Sequence, residues 1–240
     1  MNSKLLLALT FVLIIPFVAK SQADTLLQNA LKRTDPEDQL AYLTKAIERE
    51  PKNASISFNR GIIRRSIKDY EGALADYSKV IELMPNYAYA YSNRGFVKDE
   101  MKDYAGAISD YSKAIALDPT LAKGYYNRGN TKMNTQDYEG ALRDYTKAIE
   151  LDPNQSTSYS NRANINSLLN DNAGAVVDCS KAIELDPLNA RNFYNRGLIK
   201  STLLDYEGAI ADFSVAIELI AKLASSYFSR GNAKLDMQDF

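Results

Sequence analysis

Hydrophobic and polar positions recur along this chain with a long period. The stretch Ala88–Leu121, AYAYSNRGFVKDEMKDYAGAISDYSKAIALDPTL, reads as two helices, roughly Tyr89 to Met101 and Tyr104 to Leu117, and the arrangement returns every 34 residues. Prolines keep the beat at Pro51, Pro85, Pro119, Pro153 and Pro187, as do the glycine pairs Gly61/Gly72, Gly95/Gly106, Gly129/Gly140 and Gly197/Gly208. A fixed period of this order marks a solenoid, in which each unit buries its apolar face only against its neighbours. Five full units result: 54–87, 88–121, 122–155, 156–189 and 190–223. Before them, 22–53 reads as a degenerate N-terminal capping repeat. Its second helix, Pro36 to Glu50, keeps Leu40, Leu43, Ala46 and Ile47 at helical spacing, while its first is ragged. After them, 224–240 is a partial repeat or capping helix, or the point where a longer array has been cut.

Local signals agree with the period. Asp69, Asp103, Asp137, Asp171 and Asp205 stand just before each second helix, where a carboxylate accepts from the first free backbone N–H groups. That helix ends at Leu-Asp-Pro or its equivalent, because proline has no N–H and disfavours helix before it. Gly95 inside a helix costs about 1 kcal/mol relative to alanine. The expected compensation is close packing of Gly95 on Ala107, with Tyr91, Tyr104 and Tyr111 filling the space around it.

Tyr91, Gly95, Ala107, Tyr111, Ala114 and Pro119 match the signature places of the tetratricopeptide repeat, and this resemblance covers nearly all of 20–240. It implies an all-α fold: a right-handed superhelical solenoid of antiparallel helix pairs. Two places depart from the pattern. The usual leucine before the glycine is arginine in all six units, Arg60, Arg94, Arg128, Arg162, Arg196 and Arg230. The usual aromatic three residues beyond the glycine is Arg64, Lys98, Lys132, Asn166, Lys200 or Lys234.

An arginine in a packed place needs a partner. Each full unit offers an aspartate on its second helix: Asp76, Asp110, Asp144, Asp178 and Asp212. In a stack of this kind the second helix of one unit packs on the first helix of the next. The expected pairs therefore run between units: Asp76–Arg94, Asp110–Arg128, Asp144–Arg162, Asp178–Arg196 and Asp212–Arg230.

Composition narrows the function. Residues 1–21 read as a secretory signal peptide: Lys4, the apolar run Leu5 to Ala19, then Ala19-Lys20-Ser21 before a cut at Gln22. The run is shorter than the ~20 residues of a membrane span, although an uncleaved anchor stays open; no span is expected in the mature chain, and export to a periplasmic or extracellular space is. Cleavage removes Lys4 and Lys20 and leaves 27 basic against 30 acidic residues, a formal charge of −3. That balance does not suit a general nucleic-acid or anionic-membrane binder.

The chain has no histidine and one cysteine, Cys179, at a place held elsewhere by Tyr77, Tyr111, Tyr145 and Phe213. The commonest general base and a zinc-type cysteine cluster are both missing. Ten of the eleven glycines fall on the two repeat places, which leaves no phosphate-binding loop. No enzyme, cofactor or metal is expected. Cys179 reads as a buried small hydrophobe.

What remains is a row of amides. Asn59, Asn93, Asn127, Asn161 and Asn195 precede the arginines, and asparagine is a poor helix former. The resemblance implies that this place faces the concave groove, where an amide can bind the backbone of an extended peptide; bonds between neighbouring helices are the alternative. Around it the groove-facing places vary, among them Phe58, Tyr89, Phe96, Lys123, Tyr126, Asn130, Arg191, Tyr194 and Leu198. Over the first three full units the family's five-residue carboxylate clamp is matched only at Asn93 and Lys123, and units three to five, with Tyr126, Asn130, Asn161, Arg191 and Asn195, are also incomplete, so that ligand is not expected. The expected function is a protein–protein interaction module, an adaptor that binds peptide segments. A component that self-associates through its C-terminal face, and a fragment separated from a catalytic domain, are the alternatives.

Overall fold

The computed structural model describes residues 21–220 and 224–238. The signal segment, apart from Ser21, lies outside the described residues. The described residues form thirteen α-helices and no strand. The helices are α1 Gln22–Leu31, α2 Pro36–Arg49, α3 Ala54–Ser66, α4 Tyr70–Leu83, α5 Ala88–Glu100, α6 Tyr104–Leu117 and α7 Ala122–Asn134. They continue as α8 Tyr138–Leu151, α9 Ser156–Leu168, α10 Asn172–Leu185, α11 Ala190–Thr202, α12 Tyr206–Leu219 and α13 Ala224–Gln238. Odd-numbered helices are the first of each pair and even-numbered helices the second. Helices α1 to α12 pack in consecutive pairs, and each of α2 to α12 also touches the first helix of the next pair.

Capping sets the bounds. The side chains of Asp69, Asp103, Asp137, Asp171 and Asp205 each accept from the N–H of the glycine three residues on, at 2.9–3.0 Å. The second repeat glycine sits against this cap, since a Cβ there would meet the carboxylate at 2.1–2.2 Å. Within each of the five full units the first helix is followed by a left-handed residue: Lys68, Lys102, Gln136, Asn170 or Leu204, all with φ of 63–64°. Asp69 N–H then donates to Arg64 O and Lys68 N–H to Arg65 O, a Schellman stop that turns the chain back on itself. Ser21 caps α1 in a capping box with Asp24, so a cut at Gln22 removes a cap.

The first repeat glycine packs on a ring. A Cβ on Gly61, Gly95, Gly129 or Gly197 would meet the ring of Tyr77, Tyr111, Tyr145 or Phe213 at 2.6–3.1 Å. The ring is thus the nearest neighbour of Gly95; the Ala107 carbonyl oxygen is second, at 3.2 Å. In the fourth unit Ala163 replaces the glycine and Cys179 replaces the ring, both fully buried. The larger residue on one helix is matched by a smaller one on the other.

The curvature follows from unequal neighbours. First helices of successive pairs touch one another, α3 with α5, α5 with α7, α7 with α9, α9 with α11 and α11 with α13. Second helices do not approach one another in this way among the described residues. The first helices therefore line the inner, concave side of the stack.

Candidate functional site

Each arginine of the Asn-Arg pair lies within the stack, and its pairing differs from the inter-unit ladder expected from sequence. The carboxylates are held by the arginine of their own unit: Arg60–Asp76, Arg94–Asp110, Arg128–Asp144 and Arg162–Asp178 at 2.7 Å, and Arg196–Asp212 at 2.6 Å. The reason is rotational. Residues two apart on a helix point about 200° apart, so Asp76 faces its own first helix while Ser78 faces the next one. The guanidinium does reach the neighbouring unit, but through a hydroxyl: Arg94 donates to Ser78 at 3.2 Å and Arg128 to Ser112 at 3.0 Å.

The second departure from the family pattern completes the same site. Arg64, Lys98, Lys132 and Lys200 contact the other oxygen of their unit's aspartate at 2.8–2.9 Å, and Asn166 donates to Asp178 at 3.1 Å. These five aspartates are 3–4% exposed. Two cations on each in four units compensate the burial of the charge, and bidentate bonding fixes the rotation of one helix on the other. The hydrogen bond to its aspartate is the main reason that Arg94, Arg162 and Arg196 hold their protons above the ordinary range.

The amides sit beside this ladder, on the seam where first helices meet. Asn59 donates to Ser55 O at 2.7 Å and Asn93 to Tyr89 O at 2.8 Å, each within its own helix. Asn93 also accepts from Arg65 at 3.0 Å, which ties α5 to α3. Asn161 donates to Asn130 at 2.9 Å and to the Tyr126 hydroxyl at 3.3 Å, and Asn195 to Asn164 at 3.2 Å. Asn127 is buried; the other four are half-buried. Asn93, Asn161 and Asn195 thus hold neighbouring first helices together, whereas Asn59 bonds within its own helix.

The varied places divide. Tyr126, Asn130 and Asn161 are brought into one network, closed by the Tyr145 hydroxyl, which donates to Asn130 at 2.7 Å. Tyr89 is half-buried with its ring 5.8 Å from that of Tyr87, and Tyr194 packs on Phe213 at the same distance. Phe96 lies beneath the Arg65 guanidinium, 4.9 Å from its centroid. Lys123 is exposed; desolvation on the inner face, then the charge of Arg65, hold its pKa below the ordinary value. Arg191 and Leu198 are exposed, and Phe58 is buried between Tyr77 and Tyr87 rather than open to the groove.

Sequence reasoning missed Arg65, Asp99 and Tyr145. Arg65 and Asp99 occupy one repeat place, four beyond the glycine, filled by Met133, Ser167 and Ser201 in the other units. Its variation from unit to unit was the available signal. Asp99 carries a buried oxygen with no hydrogen-bond partner, and desolvation is the largest cause of its raised pKa.

Among the described residues no cluster of histidine, cysteine, aspartate and glutamate fits a metal, and no helix is long and apolar enough to cross a membrane. Cys179 is buried, and that burial pushes its thiol up to about 12.

Family models agree with the period. A model described as TPR repeat matches residues 63–99 and 100–136, and one described as tetratricopeptide repeat matches 122–155. Together the two models span residues 63–155 and match them as tetratricopeptide repeats. The TPR fold suggests a protein–protein interaction scaffold, and TPR repeat proteins are generally non-catalytic. No curated protein matches the chain by sequence. Among solved structures the chain is similar to YrrB, described as a TPR protein with an unusual peptide-binding site. The match has 24% identity and a TM-score of 0.68, covering 79% of this chain and 97% of YrrB. It is also similar to residues 41 to the end of MamA from Desulfovibrio magneticus RS-1, with 26% identity and a TM-score of 0.64 over 70% and 94% of the two chains. The Cut9–Hcn1 structure is superposable at 13% identity with a TM-score of 0.71, over 88% of this chain and 42% of the other. These likenesses establish the TPR solenoid fold.

Proposed function

We propose that the chain is a non-enzymatic adaptor that holds an extended peptide segment of another protein along its inner face. The supporting observation is the seam of amides. Asn59, Asn93, Asn127, Asn161 and Asn195 recur once per unit on the helices that line the concave side, and all but Asn127 are only half-buried. An amide with one N–H engaged in a neighbouring bond still has a second N–H or a carbonyl lone pair to offer a peptide backbone. Phe96, Tyr126, Tyr194, Lys123 and Arg191 vary around this constant row and would select side chains. The peptide-binding site described for YrrB, a protein of the same fold, is in keeping with this reading.

Peptides selected from a displayed library by the full chain provide the test. Asn93→Ala combined with Asn161→Ala should weaken the selected peptide about tenfold, the loss of one or two backbone hydrogen bonds, with an unchanged helical circular dichroism spectrum. An unchanged affinity would make the amides purely structural. The same proposal places the protein outside the cytoplasm, since Lys4, Leu5–Ala19 and Ala19-Lys20-Ser21 have the form of a cleaved signal. Amino-terminal sequencing of the exported protein checks this: it should begin at Gln22, and a retained Met1 would contradict it.

A further inference from the structure

Arg65 breaks the charge pattern of the stack. From α1 to α12 the other half-buried arginines, Arg60, Arg64, Arg94, Arg128, Arg162 and Arg196, each meet an aspartate at 2.6–2.9 Å. Arg65 is half-buried as well, yet among the described residues no carboxylate pairs with it. From the end of α3 it lies across the inner side of α5, where it donates to the Asn93 side-chain oxygen at 3.0 Å and sits over the Phe96 ring at 4.9 Å. A guanidinium carries five N–H donors in a fixed fork, and Asn93 takes one of them. A partly desolvated cation without a counter-charge is costly, and an anion arriving beside it offsets that cost. A second cation faces the same space. Lys123 stands on α7, the first helix on the other side of α5. Desolvation, then the charge of Arg65, hold its pKa below the ordinary value, so the two cations act on one another across α5. Lys98, Lys132 and Lys200 on the first helices each meet an aspartate, whereas Lys123 meets none among the described residues. The acids of α5 do not neutralise the pair. Asp99 forms no ion pair with either cation, and one of its oxygens is buried without a hydrogen-bond partner. Glu100 accepts from the Tyr70 hydroxyl at 3.0 Å.

We propose that Arg65 and Lys123 form an acid-recognition subsite of the inner face, where an aspartate or glutamate side chain of the bound segment docks over Asn93 and Phe96. The inference rests on the peptide-binding reading above and names what that groove selects over its first three full units. The guanidinium fork suits the two oxygens of a carboxylate, and the ammonium adds a point charge from the other side. Arg65 holds no place of the family's five-residue clamp, and the occupant is a side chain within the segment rather than its terminal carboxylate. The whole chain has a formal net charge of −1, so a preference for acids would come from this site and not from general attraction.

The probes are peptides selected from a random displayed library on the full chain, then synthesised with both ends capped. An aspartate or glutamate should recur at one fixed place among them. Its exchange for asparagine or glutamine should weaken binding about tenfold, as loss of a charge-assisted pair does. Arg65→Gln and Lys123→Gln in the chain should each do the same, and neither should weaken the exchanged peptide further. Lys123 is exposed, so its replacement leaves folding alone, and circular dichroism checks the Arg65 variant. Arg143→Gln, at an exposed place on α8, should leave the affinity unchanged. Four results would each overturn the subsite: selected peptides without an acid, indifference to both Arg65→Gln and Lys123→Gln, an equal loss on Arg143→Gln, or loss of binding when the carboxyl end is capped. A peptide that still responds to Asn161→Ala in those cases would leave the amide seam standing. Failure to select any peptide would overturn both readings.

Discussion

Replacing the buried aspartate by asparagine keeps shape and removes charge, and the units respond differently because their cations differ. In the second unit Asp110 neutralises Arg94 and Lys98, whose side chains keep 21% and 23% of their surface. Asp110→Asn leaves both without a counter-charge at the centre of a helix pair. Breaking a buried pair costs about 3–5 kcal/mol, and the partial exposure of both cations puts the value near the low end, about 3 kcal/mol. In the fourth unit Asp178 meets one cation, Arg162, and the neutral amide of Asn166. Asp178→Asn there leaves one charge unpaired and should cost about 2 kcal/mol on the same scale. Urea unfolding followed by circular dichroism measures the total. Because a solenoid loses units locally, hydrogen exchange on α5–α6 and on α9–α10 should show the loss in the altered pair and its neighbours. A cost for Asp178→Asn equal to or above that for Asp110→Asn would refute the reasoning, as would either value below about 1 kcal/mol, the range of exposed pairs.

Other consequences can be measured on the same preparation. Cys179→Tyr should destabilise by about 1–3 kcal/mol through overpacking against the Ala163 Cβ, and adding Ala163→Gly should recover most of it; purely additive losses in urea would show that the two sites do not share their space. Leu204 holds φ 63° while 65% exposed, so Leu204→Gly should stabilise by about 1 kcal/mol through relief of left-handed strain, seen as a higher Tm; a lower Tm would contradict the Schellman stop. The Cys179 thiol, pushed up to about 12 by burial, stays protonated and covered at pH 8, so a thiol reagent should modify it only as fast as the fourth unit opens; prompt reaction in native buffer would contradict its burial.

Much of this was legible in the sequence because a repeat states each rule several times. Asp103 before Tyr104 and Pro119 after Asp118 mark helix ends by simple backbone chemistry, and the helices begin and stop there. Gly95 announced a close approach, although its nearest neighbour is the Tyr111 ring rather than Ala107. The ion-pair partners were not legible. Arg94 lies 18 residues after Asp76 and 16 before Asp110, so separation along the chain does not choose between them, and only helix rotation does. The two departures from the family pattern, at Arg94 and Lys98, appeared unrelated in sequence, yet they meet on one carboxylate. Arg65 and Asp99 escaped notice because the place they share has no constant chemistry. The amides of Asn93, Asn161 and Asn195 were found, but their bonds across the seam depend on how closely first helices approach, which no periodicity states.

The central claim, that the inner amide seam receives a peptide backbone, is tested most directly by a nitrogen–proton correlation spectrum of the chain titrated with a display-selected peptide. The account predicts shifted side-chain amide signals for Asn93, Asn161 and Asn195 along the first helices, with α4, α6, α8, α10 and α12 silent on their outer faces. Shifts confined to those outer helices, or to α13 alone, would contradict it.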